Sequence, residues 1–445
     1  MVEYKLSQLE DNGAVVRDPT KDSTPSSAET GTLSWYSVAV VLATTALGAG
    51  VLNFPAAYDH AGGILVATLL QMLMVFALGV TVVVLAYCSD VNKDRTYHGI
   101  VLSMCGPRWR FLVAVSVLLT CYGVCVTYLL VLGDQFDRLF ASFYGQDFCH
   151  KWYMSRQFTI SIMAFIFVMP LCFLRRINYL QYASSLGIVA VLYPCFLTVF
   201  VYYTTDVRDV VIKTAPTSFM DLLVTVPVFC FAYQTHEVAI PVYAAMRDRA
   251  LTPLAKAIAC SMLLLLVAYC VVGTFGYLAY GAAVRPDIME MFDATQTWVQ
   301  FGVVALIIKM IVTYPLPAIC GRDTLEGLYR DWSRWPTNVA AEGKRRRRFF
   351  LSFGWFASSV CLAVLPVDIG VAVKILGCLA ALNIFLFPGL CLLGLLQKTV
   401  VVSHPHWLCF LAVVMIVVGG VLSLAVLVQT VLVDLVSGRA HQLCS

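Results

Sequence analysis

The sequence predicts an all-α integral membrane protein of about eleven transmembrane helices, ten forming a 5+5 inverted repeat and one added after it. Three observations carry this. The chain is 60% hydrophobic and only 13% charged, outside the range of soluble globular proteins. Its apolar residues fall into long runs, several without a single charge, and a hydrocarbon core needs about 20 helical residues to cross. The first and sixth of these runs are broken by Gly, Pro and polar residues at corresponding places in the two halves.

Residues 1–33 are polar and read as a disordered cytoplasmic tail. The first run is too long and too far from the start to be a cleaved signal peptide. The eleven runs cover 34–58, 63–87, 111–133, 156–174, 177–203, 218–246, 253–280, 298–320, 349–367, 370–396 and 408–436. Residues 34–400 thus form a core of ten helices, with repeats over about 34–203 and 218–396. Residues 401–445 carry the eleventh helix and a short outer tail.

Lysine and arginine in the loops set the orientation. With the N-terminus cytoplasmic, most of them fall inside, including Lys93, Arg95, Arg108 and Arg110, then Arg247, Arg249 and Lys256. An odd number of spans leaves the C-terminus outside. The net charge of +4 reflects this topology and implies no nucleic acid partner. "KRRRR" at 344–348 anchors the ninth span, and Arg345–Arg348 would attract anionic lipid. A multi-pass membrane location follows, with the plasma membrane favoured over an acidic organelle. Of 16 cysteines only Cys149 and Cys444 fall outside, where a single disulfide would be available. No Asn-x-Ser/Thr sequon and no zinc spacing occurs, so no metal is expected.

"GAGVLNFP", Gly48 to Pro55, interrupts the first run. Glycine and proline weaken a helix by about 1 and 3 kcal/mol against alanine. In lipid the freed backbone groups must meet protein or a cavity. "FAYQTHEVAIPVY", Phe231 to Tyr243, repeats the pattern in the sixth run. Paired breaks of this kind point to a transporter whose midplane site uses half-helix ends, N–H groups for a carboxylate and carbonyls for a cation. The expected site residues are Thr44, Thr45, Gly48, Ala49 and Gly50 at the first break, and Phe231, Ala232, Tyr233 and Gln234 at the second. Tyr128 in the third run would cover a ligand. Thr44 and Thr45 have the alternative of bonding their own helix carbonyls. Glu237, a carboxylate within a span, would meet a cationic substrate side chain, pair with Lys309, or cap its half-helix. Asp59 and His60 at the end of the first run are expected to be exposed loop residues.

These motifs carry a resemblance. "GAGVLNFPAAYDHAGG" resembles the first-span signature of the amino acid/auxin permease family. "GYLAYG" at 276–281, "GVCVTYLLVLGDQF" at 123–136 and "PVDIGVAVKILGCLAALNIFLFPGL" are similar to its seventh, third and tenth spans. The resemblance covers about 34–400 and implies a leucine-transporter-like fold and secondary active transport of neutral or cationic amino acids by alternating access. Related transporters often have His-Pro-Glu after the second break, whereas this chain has His-Glu-Val, so no family role is carried to Glu237.

Sodium-coupled members carry Asn four residues before the first Gly of the break; Thr44 stands there. Lys309 and Thr313 share one face of the eighth run, which by resemblance lines the cation site. A proton is therefore the expected coupling ion, with Lys309 as its switch, sodium coupling being the alternative. An amino-acid sensor with little sustained transport is a further alternative. No His-Glu-x-x-His or Gly-x-Ser-x-Gly motif suggests an enzyme, and neither a catalytic residue nor a cofactor is expected.

Overall fold

Within hydrocarbon a backbone must satisfy its own N–H and C=O groups, so apolar runs of this length become helices. The computed structural model describes residues 31, 33–145, 152–173, 177–204, 210–333, 344–365, 369–398 and 406–430.

Helix α1 (Trp35–Ala46) begins at Ser34, whose hydroxyl accepts from the Ser37 N–H. A tight 3-10 turn over Ala49–Asn53 separates it from α2 (Phe54–His60). Pro55 sits in the first turn of α2, where its missing N–H has no intrahelical partner to lose. Gly62 and Gly63 take φ of +87° and +115°, conformations open to glycine, and turn the chain into α3 (Ile64–Asn92). Then follow α4 (Tyr97–Cys105), α5 (Pro107–Tyr144), α6 (Arg156–Cys172) and α7 (Ile177–Thr204).

The second half repeats the broken start: α8 (Phe219–Tyr233), two non-helical residues, then α9 (His236–Ala244). It continues with α10 (Leu251–Tyr280), α11 (Thr297–Thr313), α12 (Pro315–Ser333), α13 (Lys344–Val364) and α14 (Ile369–Ala381). A π-turn over Leu382–Leu386 leads into α15 (Phe387–Lys398), and α16 (His406–Gln429) comes last.

Among the described residues eight helical segments are long and apolar enough to cross a membrane, and a ninth if α1 and α2, bent by 55°, count as one. The segments expected at 156–174 and 349–367 are helical, as α6 and α13, but do not belong to that set. Helix α6 is short, and α13 opens on the basic run, which dilutes its hydropathy.

The two broken helices pack with α3 and α10, and α5, α7, α11, α12 and α14 surround them. Contact between α10 and α2 is close because Gly273 and Gly276 carry no side chain. A Cβ there would come within 2.6 Å of the Tyr58 ring and 2.5 Å of Pro55. At one end of the bundle the start of α1 is tied to the end of α9: the Arg247 N–H donates to Leu33 O at 2.9 Å and the Leu33 N–H to Ala245 O at 3.2 Å.

One expectation is corrected here. Asp59 is not a free loop residue but closes α2, half-buried, and pairs with Lys213 at 2.8 Å; His60 is exposed as expected. In the basic run, Arg347 reaches Glu326 at 2.7 Å and Arg346 lies over the Phe350 ring, while the side chain of Arg345 falls outside the described residues. Cys149 and Cys444 also lie outside them.

Candidate functional site

Helix α1 ends where Leu47 leaves helical geometry (ψ 80°), and α8 ends at Gln234 (ψ 121°). The carbonyls of each last turn lose their intrahelical partners. The two breaks touch. A Cβ on Gly50 would lie 3.1 Å from the Ala232 Cβ and 3.2 Å from its Cα, and one on Gly48 would lie 3.1 Å from the Tyr128 hydroxyl. Glycine at 50 is what allows the backbones this approach.

A cavity of about 80 Å³ opens at this meeting point. Gly48, Gly50, Phe231 and Ala232 form its break side, Tyr128 from α5 covers it, and Thr313 at the end of α11 closes it. The Tyr128 hydroxyl makes no hydrogen bond to any described residue and borders the cavity.

The opposite end of the cavity is polar. Glu237 opens the first turn of α9 and lines the cavity beside Gln234 and Thr120. Its Oε1 accepts from Gln234 Nε2 and, at 3.0 Å, from Asn383 Nδ2. Its own backbone N–H adds a further bond to the carboxylate. Asn383 is itself held in place: its Nδ2 also reaches Thr120, its Oδ1 accepts from Ser116 at 2.8 Å, and its carbonyl accepts from Tyr97 Oη at 2.6 Å.

Several predicted residues stand elsewhere. The Thr44 and Thr45 hydroxyls donate to Val40 O and Val41 O, both at 2.7 Å, so they satisfy their own helix; Thr45 still borders the cavity, and Thr44 lies behind it. Tyr233 points away, accepting from Gln71 Nε2, with Gln71 Oε1 in turn accepting from Tyr58. Ala49 starts the 3-10 turn, and its side chain is outside the described residues.

Lys309 is fully buried behind the first break, donating to Thr44 O at 3.3 Å. Its chain lies over Gly187 of α7, where a Cβ would fall 3.1 Å from Nζ. Among the described residues it makes no ion pair with Glu237, so that expected alternative does not hold.

Sequence reasoning missed Asn383 and Thr120. An uncharged amide in the apolar "LAALNIFLF" was a readable signal, since polar groups in spans need partners. Away from the cavity, Asp134, Asp287 and Glu290 bring carboxylate oxygens within 4.8 Å of one another. Arg156 pairs with Asp134, and Gln135 donates to Asp287 at 3.1 Å.

A bundle of helices long and apolar enough to span a membrane, with two broken members meeting at a cavity, has the architecture of a membrane carrier. The chain belongs to the family described as "Transmembrane amino acid transporter protein", whose model matches residues 31–432. It is accordingly a multi-pass membrane transporter of amino acids and not an enzyme. It is 32% identical over 424 residues to sodium-coupled neutral amino acid transporter 7 of Rattus norvegicus, covering 94% of this chain and 92% of that one. The Homo sapiens protein of the same name is 31% identical over 423 residues, covering 94% and 92%. Solute carrier family 38 member 8 of Homo sapiens is 29% identical over 372 residues, covering 81% and 85%. In fold, the chain matches the crystal structure of MhsT in complex with L-phenylalanine with a TM-score of 0.51 at 11% identity, over 88% of this chain and 98% of that one.

Proposed function

We propose that the cavity between the two breaks is the amino acid site of an alternating-access carrier built on eleven spans, ten of them in two inverted repeats. The observation that carries this is the meeting of two helix breaks, one from each half, around Gly50 and Ala232. The backbone around Gly48 and Gly50, with the free Tyr128 hydroxyl, supplies donors for the substrate carboxylate. The carbonyls that end α1 and α8 supply acceptors for its ammonium.

The substrate side chain then points toward Glu237, Gln234 and Asn383. A carboxylate lining that part of the cavity favours neutral or cationic amino acids whose side chains end in N–H donors. An apolar side chain would desolvate the carboxylate without giving it a donor, which costs about 1–3 kcal/mol or more.

Coupling to protons is the reading that Lys309 supports, its buried Nζ donating to Thr44 O in the last turn of α1 at 3.3 Å. Sodium coupling is the second reading, favoured by the names of the similar proteins from rat and human. The loop charges support a cytoplasmic N-terminus, and the plasma membrane is the location proposed in preference to an acidic organelle. Uptake of labelled amino acids by purified protein in liposomes, with pH and sodium varied independently, tests the whole reading. Uptake unaffected by sodium removal and raised by an inward proton gradient is expected; absolute sodium dependence would replace the proton by sodium.

A further inference from the structure

Tyr269 of α10 is fully buried between the two breaks, and its hydroxyl donates to Ala46 O at 2.8 Å and to Ala232 O at 3.1 Å. Ala46 closes α1, and Ala232 is the last residue but one of α8. Both oxygens therefore belong to final turns, where carbonyls lack intrahelical partners and carry partial negative charge. Among the described residues no other side chain donates to either. Both residues also line the cavity.

A phenol has one proton, whereas each carbonyl has two acceptor positions. One hydroxyl shared between two carbonyls thus holds them together while leaving most of their acceptor capacity unfilled. The ring is fixed independently. It stacks on Phe54 with centroids 4.3 Å apart and meets the Tyr233 ring edge-on at 5.0 Å.

We propose that Tyr269 is a positioning residue for the substrate's amino group. By pinning Ala46 O and Ala232 O to a single hydroxyl it fixes the distance between the two half-helix ends. The remaining lone pairs then face one point, which an α-ammonium with three N–H donors completes. This inference rests on the cavity being the amino acid site.

Tyr269→Phe separates this role from packing, because Phe keeps both ring contacts and loses only the O–H. The test compares KM for a labelled amino acid with inhibition constants for that amino acid and its N-methyl counterpart, which has one N–H donor fewer. Wild-type protein is expected to prefer the parent amine. Tyr269→Phe is expected to raise KM for the parent about tenfold, as loss of a bond that supports a charged group does, with maximal rate per transporter little changed. The preference for the parent over the N-methyl compound should shrink about threefold or more.

Unchanged constants, or an equal loss for both compounds, would overturn the proposal. Should the Phe variant not reach the membrane, 3,5-difluorotyrosine at position 269 keeps the ring and strengthens the donor. It is expected to widen the preference, and an unchanged preference would overturn the proposal equally. Failure of the underlying site looks different: wild-type protein would show no preference between the amines, or Gly50→Val would transport normally.

Discussion

The side-chain nitrogen of Lys309 and the carbonyl oxygen of Thr44 lie 3.3 Å apart, joining the C-terminal part of α11 to the last turn of α1. Both are buried, so the contact exists without water to replace it. The proposed coupling role of Lys309 rests on this contact.

Replacing Lys309 by Met keeps the length of the side chain and removes the charge. A one-unit pH gradient can support up to about tenfold accumulation in a proton-coupled carrier. Wild-type protein should respond to such a gradient, and Lys309→Met should not, when uptake is measured in liposomes with fixed sodium. A variant that retains the full response would clear Lys309 of this role.

Glu237 lines the cavity while the amides of Gln234 and Asn383 hold its Oε1. Glu237→Gln should weaken substrates with side-chain N–H donors by about tenfold or more, and cationic ones most, since the lost bond is to a charged group. Apolar amino acids should change little in the same competition assay. An equal loss across all substrates would reduce Glu237 to a structural cap of α9.

Asp287, in the turn between α10 and α11, is buried, and burial pushes its carboxyl up to about 6 against the opposing pull of Arg138. The folded state therefore favours the protonated form. Its contribution to stability is full below the unfolded value of about 4 and is lost as pH rises through about 6. The melting temperature of wild-type protein, relative to Asp287→Asn, should accordingly fall as pH is raised from about 4 to 7. A difference that does not vary with pH, measured in detergent, would contradict the assignment.

Much of the fold was legible because membranes permit so few solutions: charge-free runs and paired breaks lead to spans and to a central cavity. The residues at the breaks were legible for the same reason, since Gly48, Gly50, Phe231, Ala232 and Gln234 lie in or beside the interrupted motifs. Side-chain direction was not. Tyr233 shares its stretch with Phe231, yet one full partner, Gln71, turns it away from the cavity. Asn383 and Tyr269 are 146 and 37 residues in sequence from their partners at the second break, Glu237 and Ala232, and only packing of the π-turn after α14 and of α10 brings them in. The Thr44 and Thr45 hydroxyls illustrate a local competition that sequence could state but not decide.

The central claim is that the two breaks form the amino acid site, and Gly50 tests it most directly. A Cβ there would already press on Ala232 at 3.1 Å, so valine must push the breaks apart, whereas at Gly48 it meets the end of the Tyr128 side chain. The measurement is initial uptake of labelled amino acid by purified Gly50→Val and Gly48→Val in liposomes, at matched protein content. The account predicts that Gly50→Val loses at least about 99% of wild-type uptake, equivalent to about 2.7 kcal/mol, with Gly48→Val impaired less severely. Folded, membrane-inserted Gly50→Val protein that transports at the wild-type rate would contradict it.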